Sequence, residues 1–362
     1  MPVKVHVVDP AAYTPPYDHA LCAGLARAGA EVDLYTSRFA YGPVPAPEGY
    51  ARHEAFYRRA RGPASSRLRR VTKLAGHVPD MLGYRAAAGA ADVVHFQWLA
   101  VQHVDGHLLP RGRPLVLTAH DILPREPRPG QLGAQRRLYA RFDAVVVHSD
   151  HGRGRLVDDL GLDPTRVHVI PHGAFAHLDV AGRPLPGELG RVRRPVVLCF
   201  GLIRPYKGVE VLVDAWSGDW DAELWIVGMP RMDVAALRAR APANVRWVSR
   251  FVADDELPAF FRRADLVVLP YLEADQSGVL ATALAFGNAL LLSDVGGFAE
   301  LGVGRLVPPG DRAALRAGLA ELIGDEAGRR RLGAGARAAA AGPLAWDAVA
   351  GRTLGLYSSL LD

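Results

Sequence analysis

Cysteine is scarce in this chain. Only Cys22 and Cys199 occur among 362 residues, far apart and each inside an apolar pattern. Neither begins a metal motif, so two buried thiols in a reducing cytoplasm are the expectation. Long apolar runs are also lacking. The first, Val3 to Val8, leads straight into polar turn chemistry and is too short for a signal peptide or a membrane span; no later segment is long and uncharged enough. Excess charge of one sign is modest, at +5, but seven basic residues crowd one stretch: Arg58, Arg59, Arg61, Arg67, Arg69, Arg70 and Lys73. That stretch lacks interleaved aromatics and no zinc-finger or RNP-type motif accompanies it, which argues against nucleic acid as a partner. It reads either as a solvated helix face or loop, or as contact with an anion: an acidic membrane surface or a phosphate-bearing acceptor.

What is present is alternation. Val3–Val8, Glu31–Thr36, Val93–Gln97, Leu115–Thr118, Ala144–Val147 and Val167–Pro171 are short apolar runs with helical stretches between most of them. A helix is predicted from about Asp18 to Ala28. A mixed Gly, Pro and Arg segment near residues 174–194 reads as a linker. A second set follows: Val196–Phe200, Glu223–Val227, Val245–Val248, Leu266–Leu269, Ala289–Leu292 and Gly304–Val307. Tandem αβ repeats imply an α/β fold of two Rossmann-like, doubly wound parallel sheets, with ligand expected in a crevice at the strand carboxyl ends. The expected division is residues 1–180, residues 181–345, and a terminal helix over 346–362 that packs back on the body of the protein.

The segment Phe200-Gly201-Leu202-Ile203-Arg204-Pro205-Tyr206-Lys207-Gly208 follows a buried strand and precedes an apolar-periodic helix. Gly201 permits close backbone approach, a helix start offers unpaired N–H groups, and Arg204 and Lys207 add charge, which together suit a diphosphate. It is neither a Walker loop nor a dinucleotide fingerprint. The segment resembles the G-(R/L)-x-x-x-K-G donor-phosphate loop of glycosyltransferase family 4, retaining enzymes of the GT-B fold. Four further segments are similar to that family in order: Val146-Val147-His148-Ser149, Val169-Ile170-Pro171-His172-Gly173, Ser293-Asp294-Val295-Gly296-Gly297-Phe298-Ala299-Glu300, and Leu306-Val307-Pro308-Pro309-Gly310-Asp311.

The resemblance implies a nucleoside-diphosphate sugar as co-substrate and transfer with retention to an acceptor hydroxyl, on a glycan, a lipid-linked sugar or a small molecule. The usual pair of glutamates is absent: aligned from Gly287, their places hold Ala274 and Thr282. The chain looks like a variant carrying A-x-Q-S-G-V, so Gln276, Ser277, Gly278, Val279 and Thr282 are expected on the donor side, with Glu273 or Asp275 within reach of the sugar. His120, in Thr118-Ala119-His120-Asp121, matches the family's active-site histidine, with Asp121 expected to orient it. Expected catalytic residues are thus His120, Arg204 and Lys207. Tyr13, Tyr17, His19, His95 and Trp98 are acceptor-side candidates, the aromatics of the first turn reading equally as packing residues. Gln97, Glu126, His148 and His172 are lesser ones. With Arg204 and Lys207 to neutralise the leaving diphosphate and no convincing DxD motif, no metal or other cofactor is expected. The expected location is cytoplasmic, with peripheral contact at an anionic membrane as the sharper reading of the basic stretch. Competing functions are a nucleotide-sugar epimerase, a pyridoxal-dependent glucan phosphorylase, for which the chain is short, and a nucleotide-sugar-binding subunit of a partner transferase.

Overall fold

The structure is a computed structural model that describes residues 2–63, 66–123 and 129–362. The chain divides into two compact units, residues 1–172 with 346–362, and residues 173–345.

In the first unit the strands are β1 (Lys4–Asp9), β2 (Glu31–Ser37), β3 (Ala51–Phe56), β4 (Val93–Phe96), β5 (Leu115–Thr118), β6 (Ala144–Val147) and β7 (Val167–Val169). All pair in parallel, in the order β3-β2-β1-β4-β5-β6-β7. Strands β4, β5 and β6 are buried along their whole length, which is why they read as short, largely apolar runs rich in Val and Leu. The helices are α1 (Pro15–Arg27), α2 (Arg67–Ala87), α3 (Gln102–Leu108), α4 (Gln131–Tyr139) and α5 (Asp150–Gly154). Helix α1 starts earlier than predicted. Pro15 and Pro16 do not lie in a preceding turn but occupy its first positions, where a missing N–H costs nothing.

The second unit repeats the plan with β8 (Val196–Phe200), β9 (Glu223–Val227), β10 (Val245–Val248), β11 (Leu266–Leu269), β12 (Leu290–Ser293) and β13 (Arg305–Val307). Their order is β10-β9-β8-β11-β12-β13, again parallel. Helices α6 (Val209–Ala215), α7 (Ala235–Arg240), α8 (Leu257–Arg263), α9 (Gly278–Ala285), α10 (Arg312–Gly324) and α11 (Glu326–Ala341) accompany them. Each sheet changes direction of winding once, between β1 and β4 and between β8 and β11. Loops leaving those strands are where such sheets bind ligands.

The final helix, α12 (Trp346–Leu361), belongs to the first unit and packs on α1. Gly24 makes the approach close: a Cβ there would lie 3.0 Å from the Trp346 carbonyl oxygen and 3.1 Å from the Ala350 Cβ. Tyr357 Oη lies 2.6 Å from His95 Nδ1 on β4. The crossing between units falls at Gly173 rather than after residue 180. Residues 174–180 are no free linker: the Phe175 amide donates to the Ala281 carbonyl, which ties the segment to α9.

Candidate active site

In the second unit, β8 ends at the loop Gly201–Lys207. Gly201 has φ +107°, and a Cβ there would meet Val279 Cγ2 at 3.0 Å and Lys207 Nζ at 3.1 Å. Arg204 and Lys207 precede α6. Pro205–Lys207 forms a separate 3₁₀ turn, closed by Gly208 at φ +65°. Gly208 is required by its neighbour, since a Cβ would fall 1.8 Å from the Pro270 carbonyl oxygen. The turn therefore lies flat on the loop that leaves β11.

That loop holds Lys207. Its Nζ donates to Tyr271 Oη at 2.7 Å and stands 4.6 Å above the Tyr271 ring. Burial works against the ammonium, but Tyr271 and Tyr206 outweigh it, so Lys207 titrates above its ordinary value and stays charged at neutral pH. Tyr271 Oη also lies 3.3 Å from Ser277 Oγ, which caps α9 by accepting from the Leu280 amide. Arg204 is exposed and has no ion pair among the described residues. The Gln276 Oε1 is buried without a partner, and the amides of Gly278 and Val279 open α9, where no helical carbonyl can reach them. Two cations, a carboxamide and two amide donors thus sit on the loops after β8 and β11.

Thr282 departs from expectation. It is buried and its hydroxyl donates to the Gly278 carbonyl at 2.9 Å, so the residue closes its own helix instead of facing a ligand. Ala274 is also buried, its carbonyl packed so tightly on Gly296 that a Cβ there would lie 1.9 Å from it. Glu273 and Asp275 flank it, half-buried, on the same loop.

In the first unit, Asp9 ends β1 and shapes the next turn. Its carboxylate accepts from the amides of Ala11, Tyr13 and Thr14 at 3.1, 2.6 and 3.3 Å. Asp18 lies against it; burial first, and then the Asp9 charge, push the Asp18 carboxyl well above the usual range. The same turn carries Ala12 at φ +52°, one of two non-glycine residues with positive φ among the described residues.

His120 follows β5 and is buried among aromatic rings. Trp98 stacks on it at 5.0 Å, and Tyr17 meets it edge-on at 4.6 Å. Its Nε2 lies 3.2 Å from the Gln97 carboxamide and its Nδ1 3.4 Å from His148 Nε2. His148 Nδ1 in turn donates to the Ile170 carbonyl at 2.9 Å. Gln97 and His148 thus orient His120; Asp121, expected to do so, is exposed. Burial, then His148, His172 and His95, hold the His120 imidazole far below its ordinary pKa, so it is neutral at pH 7. Tyr17 also touches His148 and His172, at 5.7 and 5.0 Å.

Other acceptor-side expectations separate. Tyr13 is exposed, 5.2 Å from Trp98, whose indole donates to Thr14 Oγ1. His95 is buried, with Nδ1 engaged by Tyr357 and Nε2 by Thr118, which fits the packing side of its two expected roles. His19 is also buried, bonded to Tyr50 Oη at 3.0 Å and not grouped with His120. Glu126 lies outside the described residues. Sequence reasoning missed Asp9 and Tyr271 and underrated Gln97 and His148. An Asp ending the first strand, four residues before a Tyr whose amide it captures, was the available signal.

Two Rossmann-like parallel sheets, the second with a basic, amide-rich set of loops at its winding reversal, match the GT-B fold of glycosyltransferases. A model described as Glycosyltransferase Family 4 matches residues 17–174, and one described as Glycosyl transferases group 1 matches residues 194–325. The chain is 31% identical to the alpha-maltose-1-phosphate synthase of Mycolicibacterium smegmatis, over 75% of this chain and 79% of that protein. Among solved structures it resembles sucrose-phosphate synthase from Thermosynechococcus elongatus, with TM-score 0.74, 20% identity and 99% of both chains covered. Anabaena HepE in complex with UDP-glucose matches with TM-score 0.73 and 20% identity, over 98% of this chain and 99% of that one. The chain belongs to glycosyltransferase family 4.

Proposed function

We propose that the chain moves a sugar from a nucleoside-diphosphate sugar to an acceptor hydroxyl, with retention at the anomeric carbon and without a metal. The observation that carries this reading is the loop in which Tyr271 holds a charged Lys207 beside an unpaired Arg204 and the open amides of α9. The acceptor oxygen bonds to the anomeric carbon on the face from which the diphosphate leaves. The breaking C–O electron pair departs with the diphosphate, and the hydroxyl proton passes to the departing phosphate oxygen. Lys207 and Arg204 stabilise charge on that oxygen, and a neutral His120 hydrogen-bonds the sugar.

A thermal-shift screen of nucleoside diphosphates and their sugars tests the donor, because a ligand that binds only the folded state raises the melting temperature. Stabilisation by at least one nucleoside diphosphate, unchanged by EDTA, is the expected result. No stabilisation by any of them would remove the donor site.

We also propose that α2 lies on an anionic membrane surface. Among the described residues, no helix is long and apolar enough to cross a membrane. Helix α2 instead exposes Leu68, Val71, Leu74, Val78 and Leu82 on one stripe, while Arg67, Arg69, Arg70, Lys73 and Arg85 oppose a single acid, Asp80. Aliphatic stripe and basic flanks are the chemistry of an interfacial helix. Vesicles containing phosphatidylglycerol should retain the protein and phosphatidylcholine vesicles should not. Leu68→Ser, Val71→Ser and Leu74→Ser together should reduce retention by about tenfold or more; equal retention would refute the contact.

A further inference from the structure

Beyond the basic face of α2, the first unit contains an arginine-lined cavity of about 780 Å³ at the carboxyl ends of β2 and β3. Arg38 follows β2, Arg58 follows β3, and Arg69 comes from the first turn of α2; Ser37, Glu54 and Tyr57 complete the lining that matters. None of the three guanidiniums has a carboxylate partner among the described residues. Arg58 donates only to the Glu54 backbone carbonyl, at 2.6 Å. Several exposed arginines elsewhere do have carboxylate partners: Arg183 with Asp255, Arg240 with Glu210 and Asp214, and Arg250 with Glu256. Glu54 is the lining's only acid, so three arginines less one glutamate leave a net charge of +2.

The cavity wall is built to keep its shape. Tyr57 is the second non-glycine residue with positive φ, at +53°. Its amide donates to Asp80 on α2 at 2.7 Å, its hydroxyl meets His77 Nδ1 at 2.8 Å, and His77 Nε2 is bonded to the fully buried Asp105 on α3. Lys73 stands 4.8 Å over its ring. Backbone strain persists only where surrounding bonds over-determine it, and here they fix the floor on which the arginines stand. Unpaired guanidiniums around a rigid cavity fit the tetrahedral oxygens of a phosphate, which they bind in bidentate fashion.

We infer that Arg38, Arg58 and Arg69 form a binding site for a phosphate ester carried by the acceptor. The inference rests on the transferase reading for the word acceptor; the anion site itself does not. A phosphate on a free sugar or polyol and a phosphate in a lipid headgroup share this chemistry. Leu68 and Val71, exposed beside Arg69, would bring the second kind to the cavity.

Calorimetry on the full chain, saturated with UDP to fill the donor loop, tests it with inorganic phosphate and glycerol 3-phosphate as probes. Both should bind. Arg58→Gln with Arg69→Gln should weaken them about tenfold or more, since each removes a charge-assisted contact, and Arg58→Lys with Arg69→Lys should recover part of the loss. In a second arm, vesicles of phosphatidic acid are compared with phosphatidylglycerol at equal lipid charge. A preference for phosphatidic acid that the double Gln variant loses assigns the site to a headgroup; binding of the soluble ester without that preference assigns it to a free acceptor. Unchanged affinity in the double Gln variant, or no binding of either soluble probe by the natural chain, overturns the inference. Loss of UDP binding by the natural chain would instead strike the donor reading and leave the phosphate result standing.

Discussion

Lys207→Ala is expected to lower the turnover number by a factor on the order of 10² or more, with little change in melting temperature. Its Nζ is held at 2.7 Å from Tyr271 Oη and above the ring of the same residue, so the charge is placed before substrate arrives. Removing one preorganised donor to a developing oxyanion costs about 3 kcal/mol, which is roughly two powers of ten in rate. Tyr271→Phe keeps the charge and removes its tether, so a smaller loss, about tenfold, is expected. Steady-state kinetics with saturating donor separates the two. Near-normal turnover in Lys207→Ala would take away the role given to the loop after β8.

Acidification should destabilise the first unit steeply between pH 6.5 and 4. Burial depresses His95 to about 3 and His148 to about 4, and it lowers His120 as well. With folded pKa values below the unfolded value near 6.5, these groups are neutral in the fold and take up protons once unfolded. Their contribution is complete above pH 6.5 and is lost as pH falls toward the folded values. At pH 5 each of His95 and His148 costs about 2 kcal/mol, from about 1.4 kcal/mol per pH unit. Urea midpoints measured at pH 7.5 and 5 should show this slope, and His148→Phe should flatten it by about one proton. A first-unit transition that does not move over that range would contradict the neutral histidine cluster. A rate limb near pH 6.5 assigned to His120 would contradict it too.

Central strands were legible because burial on both faces leaves uninterrupted aliphatic runs, as in β6 and β11. Strand β3 was not. At the sheet edge, with a half-exposed pattern, Ala-Arg-His-Glu-Ala-Phe carries neither a run nor a clean alternation. The loop after β8 was legible through Gly201, Arg204 and Lys207, since close approach and positive charge need those residue types. Its 3₁₀ geometry was not, because Gly208 takes its conformation from the distant Pro270. His95 illustrates the general difficulty. A histidine at a strand end looks the same in sequence whether its nitrogens face a ligand or, as here, Tyr357 and Thr118. Thr282 fails for a related reason, since a short hydroxyl inside a helix can return to its own backbone.

Because α12 completes the first unit from the far end of the chain, that unit cannot finish assembling on the ribosome until the last residues emerge. The second unit is contiguous and is free to fold earlier, as an insertion into an unfinished host. Until Trp346 and Tyr357 arrive, Tyr17 and His95 lack the neighbours that bury them. A nascent chain paused in α11 would therefore carry a folded second unit beside a first unit still open to proteases.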